Sequence, residues 1–421
     1  MPDFSSYLRR GGLALVALGL GGFAADYGYN VGLSRLLSTH EYGDYKVAHA
    51  FAVFFGTLVL LGGDRAAPKA LAGPLERGEL VQAWEYLRFY LRLSIALSVV
   101  VIAVTWSASF LHVGTKDPLH HHALAWLVVS VPLLAAGALT SRTLQSARRP
   151  VLAALPWRVG LPVLLLVAIV LLARAVESVS LWQILVLAVG VVLVVAGGQW
   201  LLVRRVALPE LKRDPRASEP RRWLATSVPM MGFFLVTLTL AQSDLYFLEI
   251  LGDEREVGLY AAAQTTAHFL VLIQTTVVGL VAPLVSTAIE SGGRGERETH
   301  RQAQRMMLTG LLPAAVLVAL AGRPILSLFG PGYPQALTVL HLLLVGNFVW
   351  ATAAIAGLWL QFTGRGPLMV VIAVATLAVD SVLNVLLIPD YGMGGAALGT
   401  AITLSLAGLT VLVARHRSPR L

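Results

Sequence analysis

Cysteine is absent from the 421 residues, which excludes a disulfide framework, a thiolate metal site and thiol redox chemistry. Charge is scarce. Asp, Glu, Lys and Arg make up 13% of the chain, against roughly 25% in soluble proteins, so an ordinary soluble multidomain enzyme and a disordered, nucleic-acid-binding tail are both excluded. Lysine is nearly missing, with Lys46, Lys69, Lys116 and Lys212 alone, and none follows a glycine. The Gly-Lys-Ser/Thr end of a phosphate loop is therefore lacking, and the chain carries no nucleotide motor of its own. A Gly-x-Ser-x-Gly elbow and a His-Glu-x-x-His metal helix are also missing, since His40-Glu41 runs into Tyr42, Gly43 and Asp44. No two aspartates stand one residue apart, so the paired-carboxylate site of many sugar transferases is absent. The polar stretches are too short for a catalytic domain, which needs about 50 residues. The chain reads as a non-enzyme.

Apolar residues supply 57% of the chain, and the mean hydropathy is +0.74. A bilayer-crossing helix takes about 20 such residues, and twelve would take about 240. The hydropathy pattern predicts spans at 11–34, 43–63, 88–111, 121–141, 150–173, 181–203, 223–244, 257–287, 306–329, 336–360, 367–388 and 394–414. Arg9 and Arg10 ahead of the first run resemble a signal peptide, but Asp26 and Asn30 interrupt it and no convincing cleavage site follows, so a retained helix is expected.

The net charge of +9 belongs to topology, not to nucleic acid. With the amino terminus inside, the cytoplasmic segments collect 24 of the 32 basic residues, among them Lys69, Arg77, Arg148, Arg204, Arg221, Arg222 and Arg365. The outer segments hold six: Arg35, Lys46, Lys116, Arg174, Arg255 and Arg323. This excess places both termini in the cytoplasm of a multi-pass cytoplasmic-membrane protein.

The polar loop 204–222 divides the spans six and six. Glu41-Tyr42-Gly43-Asp44-Tyr45 and Glu256-Val257-Gly258-Leu259-Tyr260 open the second and eighth spans, and Arg148-Arg149-Pro150 and Arg365-Gly366-Pro367 open the fifth and eleventh. Two matches at nearly one offset argue for a duplicated six-helix unit. The expected organisation is an amino-terminal lobe at 1–205, a basic cytoplasmic linker at 206–222 and a carboxyl-terminal lobe at 223–421.

Some patterns are packing features. Gly392-x-Gly394-x-x-Ala397 lacks the strand context of a dinucleotide fingerprint and reads as a turn. Gly28-x-x-x-Gly32 and Gly395-x-x-x-Gly399 read as small-residue helix seams. His112, His120, His121 and His122 read as an external loop without a metal-ligand pattern.

Polar groups inside spans are the functional candidates, because each is costly in hydrocarbon. Asp26 and Asn30 are four apart on one helical face, and Asp380 and Asn384 repeat that spacing. A carboxylate beside an amide oxygen suits a proton or sodium ion, while a hydrogen-bonded fastening between helices is the structural alternative. Asp244 adds a third intramembrane carboxylate. Arg158 and Arg92 are permanent cations suited to phosphate, and Arg35 and Lys46 extend the basic set. Snorkelling to an interface is the alternative for Arg92, Arg35 and Lys46.

Leu33-Ser34-Arg35-Leu36-Leu37-Ser38 running into Glu41-Tyr42-Gly43 resembles the first helix junction of bacterial polysaccharide flippases. Leu328-Phe329-Gly330-Pro331-Gly332-Tyr333, Gln361-Phe362-Thr363-Gly364-Arg365, and Asn384 to Pro389 with Tyr391-Gly392 and Gly394 to Ala397 resemble their later junctions. These motifs belong to the multidrug, oligosaccharidyl-lipid and polysaccharide (MOP) exporter superfamily. The resemblance implies an all-α bundle of about twelve transmembrane helices in two pseudo-symmetric lobes forming a V. It implies alternating access that flips a polyprenyl-diphosphate-linked oligosaccharide outward for surface polysaccharide such as lipopolysaccharide. No cofactor is expected beyond H+ or Na+ as coupling ion, with Asp26 in a helix comparable to that bearing the coupling carboxylate of the drug-exporting relatives. A monomer is expected, with membrane lipids and the lipid-linked substrate as partners and a polymerase or glycosyltransferases beside them. The rival readings are a cation-coupled multidrug antiporter, a membrane-embedded glycosyl polymerase or ligase, and a non-transporting scaffold.

Overall fold

A computed structural model describes residues 13–110, 118–208, 218–290 and 296–417, and among them there is no strand. Arg9, Arg10, His112, Lys116, Lys212 and the side chains of His120, His121 and His122 lie outside the described residues, as does 209–217 of the expected linker. The helices are α1 (Leu13–Leu36), α2 (Thr39–Leu58), α3 (Gly63–Glu76), α4 (Leu80–Phe110), α5 (Pro118–Leu127), α6 (Val131–Ser146), α7 (Pro150–Leu155) and α8 (Leu161–Ala175). They continue as α9 (Leu181–Val206), α10 (Pro220–Leu251), α11 (Glu254–Glu290), α12 (Glu296–Leu320), α13 (Gly322–Ser327), α14 (Leu337–Leu360) and α15 (Gly366–His416).

Each of the twelve expected spans has a helical counterpart. Eight described stretches are long and apolar enough to cross a bilayer, and α2 with α3, bent by 43°, makes a ninth. The last stretch, Tyr333–His416, is 84 residues long and is broken at Gln361–Arg365 and again at Gly392. Hydrocarbon-length helices dominate because only internal hydrogen bonding satisfies a backbone in lipid. The chain is a multi-pass membrane protein.

The boundaries follow local chemistry. Ser38 and Glu41 form a reciprocal capping box at the start of α2. Pro150 and Pro367 sit in the first turns of α7 and α15, where the missing N–H removes nothing from the helix. The bend after α2 is set by Leu61 and Gly62, both with positive φ. A Cβ on Gly62 would lie 2.1 Å from the carbonyl oxygen of Ser227, so α10 approaches this bend backbone to backbone.

Contacts sort the chain into two compact units, one of residues up to Arg35 with those from Thr239 onward, the other Leu36–Leu238. This partition differs from a break at 206–222, because α10 contributes to both units and α1 sorts with the carboxyl-terminal helices. The reason for α1 is local. Ser34 Oγ donates to the Phe329 carbonyl at 3.0 Å, Arg35 Nε donates to the Leu328 carbonyl at 2.5 Å, and the Tyr27 ring meets Phe329 edge-on.

In that unit, the break at Gly392 turns α15 back on itself. Gly392 has φ +52°, and the Glu256 carboxylate accepts the Met393 N–H at 2.7 Å. A Cβ at Gly392 would stand 2.1 Å from Glu256 Oε2. The Gly395-x-x-x-Gly399 pattern is the seam between the two legs, for a Cβ on Gly395 would lie 2.4 Å from the Leu387 carbonyl oxygen. Gly392→Val therefore meets both a backbone penalty and a clash. It should destabilise the purified protein by about 1–3 kcal/mol, read as a lower thermal midpoint in detergent.

Candidate functional site

A buried polar network stands where α10, α11 and the two legs of α15 meet. Asp244 on α10 is 3% exposed and Asp380 on α15 is 1% exposed, and no basic side chain among the described residues pairs with either. Burying two carboxylates without a cation is costly unless each is held by donors. The donors come from all three helices.

Asn384, one turn after Asp380, joins the carboxylates. Its Nδ2 donates to Asp380 Oδ2 at 3.1 Å and to Asp244 Oδ1 at 3.0 Å, which spends both amide hydrogens. Asp244 Oδ2 also accepts from Thr400 Oγ1 at 2.6 Å and from the Tyr260 hydroxyl. Asp244 thus receives three donors, from Asn384, Thr400 and Tyr260.

Asp380 is served less well. Ser243 Oγ lies 2.7 Å from Asp380 Oδ2 but also 3.0 Å from the Leu240 carbonyl. Thr403 Oγ1 lies 3.2 Å from Asp380 Oδ1 and 2.9 Å from the Gly399 carbonyl. A hydroxyl has one proton, so each must choose between a carboxylate and a backbone carbonyl. Asn384 Oδ1 is fully buried and has no hydrogen-bond partner among the described residues. A buried acceptor without a donor beside two carboxylates is a set of oxygens suited to a proton or a hard cation.

The two Asp/Asn pairs read from the sequence differ in surroundings. Asn30 Nδ2 donates to Asp26 Oδ2 at 3.2 Å, the same one-turn bond that Asn384 makes to Asp380. Asn30 is buried, while Asp26 is exposed. Asp244, Asp380 and Asn384 come together; Ser243, Tyr260, Thr400 and Thr403 join them without having been singled out as site residues. Tyr260 stands in the repeat with Tyr45, and Thr400 and Thr403 share one face of a helix, but no pattern in the sequence ties them to Asp244.

The basic candidates sit on different elements. Arg158 sits on a π-helical turn, Pro156–Gly160, between α7 and α8, and is exposed. Its neighbour Trp157 fixes that turn, because a Cβ on Gly137 of α6 would lie 1.9 Å from Trp157 Cζ2. Arg92 on α4 is also exposed, and Lys46 on α2 is half-buried. Arg35, expected to extend the basic set or to snorkel, is engaged by backbone carbonyls. Its guanidinium donates to the carbonyls of Leu328 and, at 3.4 Å, Ser327, where it closes the end of α13.

Replacing Asn384 with leucine removes one donor from each buried carboxylate. Asn384→Leu should cost about 2–4 kcal/mol. Asp380→Asn, which removes a charge at nearly constant shape, should cost less. Thermal unfolding of the two purified variants in detergent checks the order.

The geometry agrees with known transporters. The chain superposes on the inward-facing conformation of a multidrug resistance MATE family transporter of the MOP superfamily with a TM-score of 0.75 at 15% identity, covering 95% of this chain and 94% of that one. Lipid II flippase MurJ, in an inward closed conformation, matches with a TM-score of 0.76 at 14% identity, covering 96% and 88%. A MOP superfamily transporter from Pyrococcus furiosus matches with a TM-score of 0.69 at 15% identity, covering 98% and 95%. At these identities the likeness carries the fold. These relatives are transporters and flippases, not enzymes. No curated protein matches the chain. Residues 8–289 match the family described as Polysaccharide biosynthesis protein. With two thirds of its length matched, and on the fold of the MOP exporters, the chain belongs to the polysaccharide biosynthesis protein family.

Proposed function

We propose that this transporter flips a polyprenyl-diphosphate-linked oligosaccharide from the cytoplasmic to the external leaflet of the cytoplasmic membrane. The observation that carries the reading is the family match over residues 8–289. The likeness to a lipid II flippase supports a lipid-linked cargo, and the excess of arginine over lysine supports an anionic one. Both termini are proposed to be cytoplasmic, with the chain working as a monomer beside a polymerase and glycosyltransferases.

Arg158 and Arg92 are the proposed headgroup residues, since their exposed guanidinium groups have no partner among the described residues. Lys46 is a secondary candidate. Arg35 contributes through its hold on the α13 end. Coupling is assigned to Asp380 with Asn384 and Asp244. Asp380 shares its hydroxyl donors with carbonyls, so it is the carboxylate that gains most from a proton or Na+. Binding of that ion shifts the balance between two helix arrangements by its unequal affinity for them. Asp26 with Asn30 is the second candidate pair.

The test is a deletion strain in which lipid-linked oligosaccharide is assigned to a leaflet by access to an external glycosidase. Intermediates trapped inside with loss of surface polymer are expected, restored by the wild-type chain and not by Arg158→Ala at equal protein level. Normal arrival at the outer leaflet in a strain without a redundant flippase would overturn the reading. Drug efflux would then be the activity to measure, in keeping with the multidrug transporter of like fold. Asp380→Asn should accumulate normally yet lose the dependence of flipping on an imposed proton or sodium gradient.

A further inference from the structure

A second basic site lies within the unit Leu36–Leu238, separate from the carboxylate network. α3, α4 and the first turn of α10 enclose a cavity of about 360 Å3. Its floor is one face of α3, where Ala66, Ala70 and Gly73 recur at helical spacing and bring the cavity close to the backbone. Its wall is aromatic: Tyr86 of α4 and Trp223 of α10 meet edge-on at 5.2 Å, and both are buried. Tyr86 is anchored by donating to the Gly63 carbonyl at 2.7 Å, and α4 is tied to α10 by Tyr90 donating to Ser227 at 2.8 Å. The three walls are therefore fixed to one another.

The rim is cationic. Lys69, Arg77 and Arg222 face the opening, against one carboxylate, Glu219. Arg222 pairs with Glu219 through Nη1 alone, and Arg77 grips Glu79 with Nε and Nη2, which leaves its Nη1 beside Gly73. All four of these paired side chains are exposed, so the pairs hold little energy and leave donors for another anion. Lys69 has no partner among the described residues, in a chain with four lysines.

We infer that this cavity binds the phosphate headgroup of a lipid in the inner leaflet, with Lys69 and Arg222 on the phosphate and Trp223 at the level of the interface. A basic recess between helices with an aromatic wall is the chemistry that recognises an anionic headgroup at a membrane surface. Small-molecule sites span about 300–1,000 Å3, so the cavity admits one headgroup and excludes an oligosaccharide of several sugars. The inference rests on the orientation proposed above and is independent of the cargo. The phosphate could belong to a glycerophospholipid, to the diphosphate of a polyprenyl carrier, or to free phosphate.

The test is native mass spectrometry of the full chain released from nanodiscs of phosphatidylglycerol and phosphatidylcholine. The wild type should retain phosphatidylglycerol. Lys69→Gln with Arg222→Gln should retain it about a hundredfold less, the loss of two charge-assisted hydrogen bonds. Gly73→Leu, which fills the cavity and removes no charge, should also lose it, while Arg204→Gln with Arg205→Gln, basic but outside the cavity, should not. Displacement by farnesyl diphosphate alone assigns the site to the carrier, displacement by dihexanoyl-phosphatidylglycerol alone to bulk lipid, and displacement by inorganic phosphate at similar concentration to the free ion. Equal losses in the Arg204/Arg205 control, or retention by both cavity variants with unchanged thermal midpoints, would overturn the inference. Because the readout is binding, it can fail while flipping stands, and the reverse.

Discussion

A carboxylate inside a bilayer has no water to turn to, so its partners must be built into the helices around it. Asp244 and Asp380 meet that demand through one amide. Asn384 gives a hydrogen to each, and the positions of α10 and α15 follow from that bridge. Tyr260 adds α11 to the same point, and Thr400 adds the returning leg of α15. The break at Gly392 is needed for this closure, because it lets residues on either side of one turn face the same carboxylates. Glu256 then caps the new helix start, four residues from Tyr260 and so on the same face of α11. One face of α11 thus holds both the turn and the charge.

Much of this was legible from residue patterns alone. Twelve apolar runs have helical counterparts because length and hydropathy decide what can sit in lipid. Asp380 and Asn384 stood out because a carboxylate and an amide one turn apart in a span are rare. What could not be read was which distant helix would meet them. Thr400 and Thr403 look like ordinary span residues, and Tyr260 looks like part of a repeat; their role depends on a turn that a glycine makes possible but does not announce. The division of α10 between two compact units was likewise invisible, for hydropathy records helices and not their neighbours. Arg35 read as a possible ligand by charge, but its position beside the end of α13 gives it backbone carbonyls to hold.

The basic residues separate into kinds by their partners. Arg148 pairs with Glu76, Arg77 with Glu79 and Arg222 with Glu219, all exposed pairs of small worth. Arg65 instead lies over the Phe234 ring and beside the buried Asp64, near the bend between α2 and α3. Arg158 and Arg92 have neither a carboxylate nor a carbonyl among the described groups. Sequence position gave these residues a common role in setting topology. Surroundings distinguish those that fasten helices from those still able to meet an anion.

The network also imposes an order on biogenesis. A chain threaded into the membrane from its amino terminus delivers Asp244 with α10, long before two of the three residues that hold it. Tyr260 follows only 16 residues later, whereas Asn384 and Thr400 lie 140 and 156 residues downstream. Until α15 has entered and folded back at Gly392, the α10–α11 hairpin must keep that carboxylate with a single phenol for company. The hairpin is thus the stage of insertion most exposed to retention at the translocon or to the wrong helix neighbour.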